Sequence, residues 1–120
     1  MKRIYLACPY TSNSVGEVAY RVKAATDIAR KLMAESCVSV FSPITHSHII
    51  ARDGSLPSDH SYWMQVDLPY IEKWADEVWV LTIDGWKSSR GVNEEIRTAD
   101  SKGIPVRTIN MDCKVGPHPF

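Results

Sequence analysis

Carboxylates crowd one short stretch of this sequence. Glu94 and Glu95 open a helical pattern in which Val92, Ile96 and Ala99 share a face. Directly before them lies a polar loop, Ile83 to Arg90, carrying Asp84, Trp86, Lys87, Ser88, Ser89 and Arg90. A carboxylate in a first helical turn complements the helix dipole and is held ionised there. A further acid, Asp67, has a different setting. Trp63, Asp67, Tyr70 and Trp74 fall at i, i+4, i+7 and i+11, so they share one helix face. Desolvation among those rings would favour the protonated form of Asp67. Acids whose environments push their pKa values apart can divide nucleophilic and proton-donating work. The neighbouring stripe of Met64, Leu68 and Ile71 is the rival core face of the same helix. On that reading Asp67 is simply solvated.

Other polar groups gather at loop positions. Ser88-Ser89-Arg90-Gly91 precedes a helix and can hold one phosphate through backbone N–H groups and hydroxyls. Cys8, Tyr10, Thr11 and Ser12 follow one apolar run, Ser42, His46 and His48 a second, and Asn110 a last one. Neither G-x-G-x-x-G nor G-x-x-x-x-G-K-[ST] occurs, so the usual dinucleotide and triphosphate cradles are missing. His46-x-His48 has metal-ligand chemistry but no third ligand at a recognisable spacing, so no metal and no cofactor is expected. Cys8 has no activating base marked in the sequence and reads as a small strand-end residue.

The elements that must position these groups alternate. Arg3 to Ala7, Val38 to Phe41, Glu77 to Thr82 and Ile104 to Ile109 are short apolar runs with strand character. A helix is expected over 16–35, with Val18, Val22, Ala25, Ala29 and Leu32 facing inward and Arg21, Lys23, Arg30 and Lys31 outward. Ser42-Pro43 ends the second strand, the segment Ile44-Thr45-His46-Ser47-His48 follows, and after it a short helix reaches about Arg52. His60 to Trp74 is helical, with Pro69 freeing the carbonyl of Gln65 and kinking it. A last helix runs from Gly91 to near Gly103, and the tail from Asn110 to Phe120 reads as irregular. Strands alternating with helices predict one doubly wound α/β domain over 1–120. Its parallel sheet should have four to five strands, with Tyr5, Val40 and Val80 on central ones and helices on both faces. Polar residues after each strand then converge on one crevice.

Composition narrows the partners. Lys+Arg and Asp+Glu number 14 each, giving a formal net charge of zero and scattered basic residues. That excludes an evident nucleic-acid surface and favours a small ligand. No apolar run approaches the roughly 20 residues of a membrane helix. Three widely spaced cysteines, Cys8, Cys37 and Cys113, favour reduced thiols and a cytoplasmic setting.

Several segments, taken in order, resemble one family. RIYLACPYT, VFSPITHSH, the W-x-x-x-D of Trp63 and Asp67, DEVWVLTIDGW and SSRGVNEEI are similar to the nucleoside 2-deoxyribosyltransferase-like proteins, over about residues 3 to 109. The Ser89 to Ile96 spacing also resembles the deoxynucleoside-monophosphate N-glycosidases of that superfamily. The resemblance implies a Rossmann-like or flavodoxin-like fold and a nucleoside or nucleoside 5′-monophosphate as ligand. It makes Glu95 the nucleophile at C1′, Asp67 the residue that assists at the base, and Tyr5 the residue that steadies Glu95. Ser89 then contacts a 5′-phosphate. The substrate-binding set is Cys8, Pro9, Tyr10, His46, His48, Trp63, Asp84, Trp86, Ser89, Gly91 and Asn110. A homodimer or homotetramer is implied, with a neighbour's Asn110 and Met111 helping to close the site. Where the glycosidases have a Gly/Ser/Arg-rich loop after the first strand, this chain has Cys8-Pro9-Tyr10-Thr11. Cleaving an N-glycosidic bond passes through an oxocarbenium-like state, which a carboxylate can trap while an acid protonates the leaving base. A non-catalytic nucleotide-binding or sensor domain on the same scaffold is the alternative, since fold does not fix function. A partner surface built on the four tryptophans is another.

Overall fold

The computed structural model describes residues 1–120. Strand β1 (Lys2–Ala7) sends Ile4 and Leu6 to one face of the sheet and Tyr5 and Ala7 to the other, the period of two of an extended chain. Strand β3 (Glu77–Leu81) divides Trp79 and Leu81 from Val78 and Val80 in the same way. Both strands are covered on both faces, so both read as unbroken apolar runs. Helix α1 (Val15–Glu35) packs Ala24, Ala25, Ile28 and Leu32 on the first face. Helices α3 (His60–Lys73) and α4 (Arg90–Ser101) pack Ile71, Val92, Ile96 and Ala99 on the second.

Strands β2 (Val38–Phe41), β4 (Val106–Ile109) and β5 (Val115–Gly116) complete a sheet of order β2-β1-β3-β4-β5. The first four strands are parallel, and β5 runs antiparallel to β4. From β1 the chain crosses through α1 to β2 on one side. From β3 it crosses through α4 to β4 on the other. The winding therefore reverses between β1 and β3, where a doubly wound sheet opens its ligand crevice.

The α/β sheet expected from the sequence is the one that forms, with four local differences. β2 is an edge strand, so Val40 is not central. Ser42-Pro43 does not merely end β2. Ser42 is the N-cap of helix α2 (Pro43–Ile50) and Pro43 its first residue, so His46 and His48 lie on that helix. The buried face of α1 is turned by about one residue, with Arg21, Ala24 and Ile28 inward and Val18, Val22 and Ala29 only half-buried. The tail is not wholly irregular. Asn110 Oδ1 accepts from the backbone of Asp112 and Lys114, holding the turn that returns the chain as β5.

Ile71 is fully buried where α3 meets the sheet, one helical turn beyond Asp67. Ile71→Ala should lower stability by about 2–5 kcal/mol. Urea unfolding of the two proteins checks this, and a loss under about 1 kcal/mol would contradict the packing described.

Candidate active site

Tyr5 lies on β1, on the face that α3 and α4 cover, and is 0% exposed. Its phenol donates to Glu95 Oε2, and Glu95 on α4 is 4% exposed. Glu95 is the sixth residue of α4, counting from Arg90, because Ser89 is the N-cap. It therefore lies in the second turn, not the first, and the helix N-terminus does not dominate its ionisation. Burial does. It pushes the Glu95 carboxyl from 4.5 to about 8, against the pull of the Tyr5 hydrogen bond and with help from the charges of Asp67 and Glu94. The Tyr5 phenol is pushed well above its usual value by burial, then by the charges of Glu95 and Asp67.

Asp67 is 8% exposed and lies on the buried side of α3 with Met64 and Ile71. Of the two candidate faces, the Met64–Ile71 stripe is the core face, yet Asp67 is buried with it. Burial raises its carboxyl from 3.8 to about 6. Its Oδ1 is the one buried side-chain polar atom without a hydrogen-bond partner. Contrast Glu77, at the opposite end of the sheet. There burial would also raise the carboxyl, but Lys2, Trp79 and Arg107 all donate to it, and the net shift is downward. A buried carboxylate with spare bonding capacity is costly unless something else uses it. The expected order of the two acids is reversed: Glu95, not Asp67, holds its proton to the higher pH.

The aromatic residues of the other candidate face turn to several different partners. Tyr70 stacks on Phe41 at 4.0 Å between ring centroids, and Trp74 meets the same ring edge-on. Phe41 in turn leans on Tyr5 at 5.9 Å and on His46 at 5.4 Å. Trp63 donates its indole N–H to Pro57 O and packs against Tyr62. Trp79 is buried, and Trp63, Trp74 and Trp86 are half-buried.

The loops after the parallel strands bring the remaining residues to the crevice edge. Tyr10 Oη lies 2.8 Å from His48 Nδ1, joining the loop after β1 to α2. His46 Nδ1 lies by Ser47 Oγ, so the two histidines turn to different partners. No group of three or more His, Cys, Asp or Glu stands close enough to hold a metal. Cys8 is buried on the α1 side, and burial lifts its thiol to about 12, which removes it as a nucleophile. Pro9 beside it is fully buried. Asp84 and Trp86 line an open depression of about 310 Å³ formed by Thr82 to Ser88. Phe120 lies 6.0 Å from the Trp86 ring. Ser89 Oγ accepts from Val92 N as the α4 cap, and Gly91 passes close to Met64. Asn110 has its side chain committed to the β4–β5 turn.

The sequence profile of the family described as "Domain of unknown function (DUF1937)" matches residues 2–111. The chain belongs to this family. DUF1937 is a nucleoside 2-deoxyribosyltransferase-like family, as the sequence segments implied. Among curated proteins none matches. The chain is similar to a solved 2-deoxyribosyltransferase from the psychrotolerant bacterium Bacillus psychrosaccharolyticus, described as a biocatalyst for nucleoside synthesis. The two are 25% identical with a TM-score of 0.55, covering 90% of this chain and 72% of that one. No helix of this DUF1937 protein is long and apolar enough to cross a membrane.

Two polar residues of the site lie outside the set expected from the sequence. His60 Nε2 pairs with Glu94 Oε2 at the mouth of a groove between α3 and α4, so the neighbour of Glu95 points outward to a different partner. Arg21, expected on the outer face of α1, is 7% exposed and bonded to both crevice loops. Its place among Ala24, Ala25 and Ile28 was the available signal, since an arginine on an apolar face needs buried acceptors.

The raised Glu95 carboxyl has a thermodynamic consequence. Between 4.5 and about 8 the unfolded chain releases this proton before the folded one does, so folded stability falls as pH rises through that window. One such group gives a slope of at most ~1.4 kcal/mol per pH unit. Urea unfolding from pH 5 to pH 9 should show a steeper decline for the wild type than for Glu95→Gln. Parallel declines would refute the buried, proton-holding carboxyl.

Proposed function

We propose that this protein cleaves or transfers the N-glycosidic bond of a (deoxy)nucleoside or nucleoside 5′-monophosphate. The observation that carries the reading is the buried Tyr5–Glu95 pair beside the partnerless carboxylate oxygen of Asp67. The likeness to a 2-deoxyribosyltransferase supports the same class. In the proposed chemistry Glu95 is the nucleophile. One carboxylate oxygen bonds to C1′ as the C1′–N bond breaks, and the bonding pair leaves with the base. Asp67 donates its proton to that base. Water, or a second base, then attacks C1′ from the opposite side and the Glu95 carboxylate is released. The incoming nucleophile's proton returns to Asp67. Tyr5 holds Glu95 in place and its hydrogen bond supports the departing and returning anion.

Buried acids that feel each other's charge share their protons as a pair. The reactive form carries one proton, placed on Asp67, and one negative charge, placed on Glu95. Because Glu95 binds protons more tightly, this arrangement is the minor partner of the singly protonated pair. A nucleoside base aligned over Asp67 shifts the balance by offering that proton an acceptor. The Ser88 to Gly91 turn, capped by Ser89, is the proposed seat of a sugar hydroxyl or 5′-phosphate.

Two measurements test the reading against an active substrate found among nucleosides and their 5′-monophosphates. Glu95→Gln should lower kcat by on the order of 10³-fold or more while leaving ligand affinity nearly unchanged. Asp67→Asn should slow base release by about 10²–10⁴-fold, most for the poorest leaving bases. Near-full turnover in Glu95→Gln would exclude the covalent route. The profile of kcat/KM against pH should be bell-shaped with limbs near 6 and 8. Below the lower limb both acids are protonated and no nucleophile exists. Above the upper limb both are ionised and no proton is left for the base. A profile flat from pH 5 to 9 would count against the pair.

A further inference from the structure

We propose that Arg21 is a positioning residue that clamps together the two lips of the crevice and so fixes its width for the ligand. This rests on the glycosidic reading above for the identity of the ligand, but not for the clamp itself. The two lips are the loop after β1 and the loop after β3, on neighbouring strands at the point where the winding of the sheet reverses. No ladder of backbone bonds joins loops beyond the strand ends, so another group must. Arg21 reaches up from α1 and donates from Nη1 to Thr11 O at 2.8 Å, on the first lip. It donates from Nη2 to Asp84 O at 3.2 Å, on the second. Glu17, one turn earlier on α1, pairs with the same Nη2 at 2.8 Å and balances the charge. The backbone carbonyl of Arg21 also lies 3.9 Å from Cys8 Sγ, next to the end of β1.

A planar guanidinium can bridge two carbonyls at once; an ammonium is a single point. The second lip is shaped to receive it. Gly85 has φ +94, and a Cβ there would stand 2.3 Å from Arg21 Nη2. The tightly held backbone is the one that carries the side chains of Asp84 and Trp86 into the depression. Arg21 belongs to the α1 side of the sheet, whereas Tyr5 lies on the side that α3 and α4 cover. Loosening the clamp should therefore disturb ligand capture and leave the Tyr5–Glu95 pair intact.

The test uses the full chain. Arg21→Ala should raise KM for the active nucleoside or nucleotide about tenfold with kcat changed less than about threefold. Millimolar guanidinium should restore part of the lost affinity, as a merely weakened fold would not allow. Gly85→Ala should raise KM too, and by less in the Arg21→Ala background, because the clash partner is gone. Hydrogen exchange of residues 8–14 and 82–88 should quicken in Arg21→Ala. Should Arg21→Ala fail to fold, Arg21→Lys takes its place, with an intermediate KM expected because it bridges only one lip. Unchanged KM and unchanged exchange, or effects of Arg21 and Gly85 that multiply independently, would overturn the clamp. If the wild type turns over no nucleoside, the glycosidic reading fails. Exchange then decides the clamp alone: faster lips support it and unchanged lips overturn it.

Discussion

Glu95 is held inside the protein by a phenol and no cation. None of the ion pairs in the structure involves Glu95 or Asp67. A carboxylate removed from water normally recovers its hydration from a cation or several donors, or else takes up a proton. Glu77 follows the first course and is a structural group. Glu95 and Asp67 follow the second, and both titrate well above the ordinary carboxylate range. That choice works against stability at neutral pH and above. Such an arrangement persists where the fold is stable enough elsewhere to carry it, and here two fully formed apolar layers supply that stability.

The layers also fix the geometry. Tyr5 must face α4, and strand alternation allows this only while Ile4 and Leu6 face α1. Register with the neighbours holds the alternation: Tyr5 stands level with Phe41 on one side and Val78 on the other. Phe41 then presses against the Tyr5 ring and is itself covered by Tyr70. A phenol walled in this way has little rotational freedom, so its hydrogen bond to Glu95 is set before any ligand arrives.

Much of the sheet is legible because its inner strands are short apolar runs, rich in β-branched and aromatic residues, bounded by polar residues and too short for helices. The sequence locates β2 along the chain, but its edge position, against the central one expected for Val40, depends on which side a crossover takes. Ser42-Pro43 is ambiguous for a local reason: the pair serves equally as a strand stop and as an N-cap followed by a first helical residue. The inward face of α1 is hard to place because β-branched residues attract the pattern toward Val18 and Val22, while the packed surface uses Arg21, Ala24 and Ile28 beside the expected Ala25 and Leu32. Charge alone places Arg21 outward. Its partners are backbone carbonyls of Thr11 and Asp84, and carbonyls carry no signature in a sequence. Asp67 is legible as unusual, but the face of α3 that buries it is not: it is buried with Met64 and Ile71.

The separation of Glu94 from Glu95 shows how finely the helix start controls the site. Successive residues on a helix point about 100° apart. Glu95 turns to the sheet and Tyr5, while Glu94 turns to His60 and the open groove between α3 and α4. Nothing in the pair Glu-Glu distinguishes them. The distinction is made upstream, where Ser89 Oγ accepts from Val92 N and Asn93 Nδ2 donates back to the carbonyls of Lys87 and Ser89. These bonds fix where α4 begins. Starting the helix one residue later would leave the phase of the later residues to be set by Val92, Ile96 and Ala99 alone. Those three already point into the core at the same phase as Glu95. Cap and apolar stripe thus agree, and a buried acid that apolar packing disfavours is carried into the core by the residues on either side of it.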